Sequence, residues 1–303
     1  MGRRSSQENR PAMEFIRRRI ESQVLSLSGI ALGQIDFENP KGDPGLFGPD
    51  SVSWRIHGDF TSMLIGGVSA LLLQALHPLA LAGVWDHSNF RDDLLGRLRR
   101  TGQFVSGTTF ASSKDAEWLI DKVKRVHLQV TGTAPDGRPY AASDPALLTW
   151  VHVAEVHSFL QAHLRYLDPR LSAADQDRYY GEIALVAERL GARDVPRNRA
   201  EIDAYLAAMR GQLLCDERSR EILRILLAAP APSRLAVPVG QLFLQAGIDL
   251  LPDWAQTMLE QRMTPLRSRL TRGGVHAIAP VIRWAVHSGS LHKSRIRMGL
   301  PPY

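Results

Sequence analysis

Residues 58–86 read GDFTSMLIGGVSALLLQALHPLALAGVWD, and the run from 60 to 85 within them is the longest apolar stretch of the chain. Roughly 26 such residues reach across a bilayer on length alone. Gln74, His77 and Pro78 interrupt the run near its middle, Gly66, Gly67 and Gly83 loosen it, and Asp59 and Asp86 bracket it. Proline stops a helix because it lacks the N–H and its ring meets the preceding turn. The stretch is therefore expected to be a buried helix over 59–76, broken at His77-Pro78, with a second run to about Val84.

Working outward, apolar residues recur at i, i+3 and i+4 almost everywhere after residue 12, and strand-like alternation is scarce. Val24, Leu25, Leu27 and Ile30 are assigned to a first helix, and NPKGDPGLFGPD (39–50) to a Gly/Pro-rich loop. Amphipathic spacing predicts a helix over 91–105, and a capped start at Ser112 or Ser113 predicts one that runs through Val130. Pro135-Asp136-Gly137 marks a turn, and Ser143-Asp144-Pro145 supplies an N-cap for a helix to about Leu167. Further helices are expected over 172–190, 199–214, 219–229, 233–248, 253–263 and 276–287. With no repeat and no separating linker, the fold class is a single all-α domain. Its expected parts are an N-terminal helix and loop (1–50), the body (51–270) and a basic C-terminal tail (271–303).

The net charge of +6 raises nucleic acid as a partner, but residues 262–303 hold eight Lys or Arg and no Asp or Glu, leaving the remainder slightly acidic. No nucleic-acid motif accompanies the charge, so such binding is not expected. Residues 280–300 mix Val281, Ile282, Trp284 and Val286 with Arg283, Lys293, Arg295 and Arg297, which suits either a solvated tail or contact with an anionic membrane. One cysteine, Cys215, excludes an intramolecular disulfide and a covalent C-x-x-C-H haem attachment, and fits a cytoplasmic setting. Arg3-Arg4 is not followed by an apolar signal core, so the N-terminus is expected to be a retained leader. Met1-Gly2 with Ser6 matches a myristoylation pattern only formally.

Six of the ten histidines fall in two regions: His57, His77 and His87, then His127, His152 and His157. Each is either a ligand or a hydrogen-bonded core imidazole. There is no H-E-x-x-H for zinc, no Glu-x-x-His for a di-iron bundle (His152-x-x-Glu155 is its reverse) and no G-x-S-x-G. Gly66-Gly67 sits in a helical run, where close packing accounts for it better than a dinucleotide site. Apolar helices with interior histidines and an arginine-rich helix remain, a set compatible with haem held without covalent attachment.

Four segments are specific as a set: L-L-L-Q-x-x-H-P at 71–78, R-L-x-x-T at 97–101, H-x-x-V-x-G at 127–132 and D-P-x-L-L-x-W-V-H at 144–152. Together they resemble the oxygenase family typified by fungal MpaB and the catalytic domain of bacterial latex-clearing rubber oxygenases, over about residues 51–270. The resemblance implies an all-helical, globin-like core, haem b, and oxidative cleavage of double bonds in isoprenoid chains. It implies His127 as the proximal iron ligand, Arg97 and Thr101 on the distal side, and His152 as a further pocket histidine. Two departures stand out: Arg100 replaces the lysine expected before the threonine, and no glutamate lies between Phe60 and Lys114 to act as distal base. Asp86 is the nearest acidic substitute.

The expectation is thus a haem b-dependent oxygenase using O2 on an apolar substrate. His127 holds the iron, Arg97, Thr101 and His77 line the oxygen face, and Asp86 or His87 moves protons. The alternatives are a non-catalytic haem or oxygen binder and a haem-free helical module for lipid or protein partners.

Overall fold

Short-range capping opens most of the helices. Asp59 accepts from Ser62 N ahead of the buried run, Asp93 from Gly96 N, Ser112 from Asp115 N, Asp144 from Ala146 N and Leu147 N, and Ser172 from Asp175 N. Each side-chain oxygen satisfies a first-turn N–H that has no intrahelical partner. A computed structural model describes residues 5–229 and 233–302, and within them the chain is all-α. The elements are α1 (Ser5–Leu27), α2 (Val52–His57), α3 (Phe60–Gln74), α4 (Pro78–His87), α5 (Leu94–Phe110), α6 (Ser113–His127), α7 (Pro145–Tyr166), α8 (Ala173–Leu190), α9 (Arg199–Met209), α10 (Glu217–Leu227), α11 (Val237–Leu250), α12 (Asp253–Met258), α13 (Pro265–Ala285) and α14 (Ser290–Arg297). The expected leader motifs at Met1-Gly2 and Arg3-Arg4 lie outside the described residues. Ile30 falls not in α1 but in a separate 3-10 turn, Gly29–Leu32.

The decisive stretch forms α3 and α4, which meet at 105°. His77 is the corner: its Nδ1 accepts from Ala80 N at 3.4 Å, and Pro78 takes the first helical position. The carbonyls freed by the break find distant donors, Leu214 N on Leu76 O at 2.8 Å and Ser219 Oγ on Ala75 O at 3.0 Å. Among the described residues no single helix is long and apolar enough to cross a membrane. Ile65, Leu72, Leu73 and Leu76 of the stretch are fully buried instead.

Two neighbours sandwich α3, α7 on one side and α11 on the other. A Cβ on Gly66 would lie 2.9 Å from the Phe159 side chain and 3.0 Å from Ser158 O, so glycine sets the approach of α7. Gly247 does the same for α11, where a Cβ would meet Val68 at 2.4 Å. The expected turn at Pro135-Asp136-Gly137 closes a small hairpin, β1 (Thr131–Thr133) antiparallel to β2 (Pro139–Ala141), so α6 ends at His127 and not at Val130.

The C-terminal segment is not a solvated tail. The boundary expected at 270/271 falls inside α13, and α14 returns to the N-terminal loop. Arg297 is 1% exposed and donates to the carbonyls of Asp43, Phe37 and Ala111. Arg283 grips Asp59, the cap of α3, at 2.8 Å, and Arg272 grips Asp249 at 2.7 Å. Much of the segment's charge thus serves internal pairing, which a count of basic residues does not reveal.

Candidate functional site

Gly67, next to the glycine that admits α7, faces open space: a Cβ there would meet nothing within 4 Å. It borders an open cavity of about 1210 Å³ lined mainly by α3, α4, α5, α6, α7 and α8, with residues of α10 and the end of α13 also in its wall. Sites for drug-sized ligands span roughly 300–1,000 Å³, so this one has room for a large flat ligand and a second molecule. Its walls are mainly apolar, with Leu71, Val84, Leu98, Phe104, Val123 and Val151 among them.

The polar groups in that lining decide its chemistry. His127, the last residue of α6, reaches the cavity half-buried; its Nδ1 is buried without a hydrogen-bond partner, and burial lowers its pKa, which favours the neutral ring. From α5, Arg97 donates to Ser88 Oγ at 2.9 Å and has no carboxylate within salt-bridge distance among the described residues. Burial and the neighbouring Arg100 lower the Arg97 pKa, the mark of a cation short of counter-charge. Thr101, one turn on, rests its hydroxyl on Arg97 O at 3.2 Å. Arg100 is engaged with Asn89 and Asp93.

From α7, His152 and Glu155 project into the same space one turn apart. His152 Nε2 is buried without a partner, and burial takes the ring to about 4. Glu155 is half-buried in the cavity wall, forms no hydrogen bond or ion pair with a described residue, and is raised by burial to about 7. Sequence reasoning passed over Glu155; the His152-x-x-Glu155 spacing was its signal.

His57 also lines the cavity, yet both its nitrogens are occupied. Thr109 gives its single proton to Val105 O at 2.7 Å, so His57 Nδ1 must donate to the Thr109 oxygen, and Nε2 accepts from Tyr179 OH at 2.8 Å. No lone pair remains for a ligand. Burial holds this ring at about 3, consistent with the neutral tautomer.

Two expected site residues lie elsewhere. His77 is absent from the cavity lining, since its ring caps α4 and packs beside Trp150. Asp86 is absent too: its carboxylate accepts from Tyr140 OH at 2.7 Å, holding α4 to the hairpin. His87 does line the cavity, with Nε2 3.1 Å from Thr131 O. His127, Arg97, Thr101 and His152 therefore line one cavity, and His77 and Asp86 do not. Among the described residues no three His, Cys, Asp or Glu side chains converge on a possible metal position.

A family model described as the ER-bound oxygenase mpaB/B'/rubber oxygenase catalytic domain matches residues 54–284, over three quarters of the chain. The chain belongs to this oxygenase family. No curated protein and no solved structure matches it. The match to the MpaB/rubber oxygenase domain starts in α2 and stops in the last turn of α13, so it takes in every polar cavity residue named above. The α14 helix and its Arg297 anchor lie beyond it.

Proposed function

We propose that this chain is a haem b-dependent oxygenase acting with O2 on an apolar substrate. The observation that carries the reading is the large apolar cavity with the neutral imidazole of His127 and the uncompensated Arg97 in its lining. A b-type haem asks of the protein one helix-borne imidazole, apolar walls and a distal surface of controlled polarity, and the residues present meet that description. His127 would hold the iron through an unshared ring nitrogen; His152 is the competing imidazole, with a free nitrogen of its own. When bound, haem supplies dioxygen binding and redox chemistry that no side chain here offers.

The rest follows from this chain's own groups. Arg97, lacking a carboxylate, stabilises negative charge that develops on oxygen in the cavity. Thr101 exchanges its long bond to Arg97 O for one to the reacting group. Glu155, rather than Asp86, stores a proton on its carboxyl oxygens and releases it near neutral pH, the range in which a general acid or base works best. The apolar walls exclude water and select a substrate with little polar surface.

The test is optical first. The protein purified with haem supplied is expected to show a Soret band, His127→Ala to change its axial ligation, and His152→Ala to preserve it. A wild type without a Soret band, or His127→Ala with unchanged ligation, refutes the assignment. Oxygen consumption with an unsaturated isoprenoid or lipid tests the enzymatic half; reversible oxygen binding without consumption makes the protein a carrier.

A further inference from the structure

The outward side of α13 carries an apolar stripe with Arg269 at its edge. Leu266 and Trp284 are 18 residues apart, five turns of helix, and so point the same way. Leu270, Gly273, Ala277, Pro280 and Val281 fall within about 60° of that line. All seven residues are exposed, Leu266 and Leu270 each at 68% and Trp284 at 43%. The inner side holds Thr271, Val275, Ala279 and Ile282 against the core. Among the described residues the stripe therefore serves no packing role.

Its surroundings identify the occupant. Residues 262–303 contain no acid; Arg269 is exposed at the edge of the stripe, and Arg262 is exposed just before α13, its Nε donating to Thr257 Oγ1. Neighbouring α1 adds exposed Phe15, Ile16 and Arg19. A tryptophan at the end of an apolar stripe with an arginine at its edge suits a lipid headgroup boundary. A second copy fits less well: one face of a 21-residue helix offers roughly 300 Å², against about 800 Å² per partner in a stable interface, and would bring the same basic flank. The last turns of α13 also separate two apolar environments, with Ile282 and Val286 lining the cavity and Val281 and Trp284 facing out.

We propose that the outward stripe of α13 seats the protein on an anionic lipid bilayer, its apolar side chains in the acyl boundary and Arg269 at the headgroups. On the function proposed above, this places the end of α13, which also lines the cavity, at the surface where an apolar substrate collects.

Co-sedimentation of the full chain with vesicles tests this without any need for haem. Vesicles of phosphatidylcholine with phosphatidylglycerol are expected to bind the protein, and pure phosphatidylcholine or high salt to weaken binding. Leu270→Glu with Trp284→Glu should lower the bound fraction at least about tenfold, since each charge enters an apolar boundary. Both positions are exposed, so the circular dichroism melt should not move; should it move, Leu270→Gln with Val281→Gln replaces that pair. Absence of binding to anionic vesicles, or undiminished binding by the folded variant, overturns the proposal. So does a wild-type dimer in light scattering that the same substitutions dissolve.

Discussion

Burial raises the Glu155 carboxyl to about 7, so the folded chain keeps a proton there that the unfolded chain releases near 4.5. Folded and protonated are coupled, and the stability this contributes is present below the unfolded pKa and lost as pH rises through the folded one. Glu155→Gln, a permanent mimic of the protonated form, should therefore raise the melting temperature by a few degrees at pH 8 and leave it unchanged near pH 4.5. An equal shift at both would show that ionisation is not responsible. His57, His152 and His157 act in the opposite sense, depressed by burial to about 3, 4 and 4 from 6.5. Their contribution is present above 6.5 and lost as pH falls towards those values. Three imidazoles outweigh one carboxyl, so a denaturant titration should find stability falling from pH 6.5 to 4.5. At this scale the place of His127, Arg97, Thr101 and His152 in the cavity lining was legible because local motifs carry them. Asp86 was not, because its partner Tyr140 is 54 residues away.

Among the elements, the Gly66-Gly67 pair in α3 makes a contrast that helix propensity alone cannot. Alanine gains up to about 1 kcal/mol over glycine in a helix interior. At Gly67, with nothing within 4 Å of the added carbon, Gly67→Ala should realise that gain or be neutral. At Gly66 the new methyl meets Phe159 and Ser158 O, partly backbone, so Gly66→Ala should cost about 1–3 kcal/mol by overpacking. Chemical denaturation should show a loss for Gly66→Ala and none for Gly67→Ala, and the absence of a loss at Gly66 would contradict the close α3 to α7 approach. The helical pattern and the His77-Pro78 break were legible because periodicity and proline act locally. The short hairpin was not: its three-residue strands carry too little alternation, and Tyr140 OH, which would lie 2.5 Å from a Cβ at Gly132, enforces glycine there from across the ladder.

Over the whole molecule, the C-terminal helices close the structure. Arg297→Met leaves two buried carbonyls and one part-buried carbonyl without their donor, an effect on the order of 3 kcal/mol. A lowered denaturant midpoint together with faster protease cleavage in the 34–50 loop is the expected result; cleavage at the wild-type rate would show that the loop is held by other contacts. Removal of residues 271–303 as a dispensable tail should yield insoluble protein, because it cuts α13 and removes Arg283 from Asp59. The single all-α unit was legible from periodicity throughout. The role of the basic segment was not, since the acceptors of Arg297 are main-chain oxygens 186 to 260 residues earlier. That separation gives the Arg297 anchor a mechanical role. With α1 tied to the end of α13 through Arg17 and Glu21, and the 37–45 loop tied to α14, the two ends of the described chain interlock. Tension applied between them loads these polar ties first, so an optical-trap record should show a small early rip ahead of the main extension.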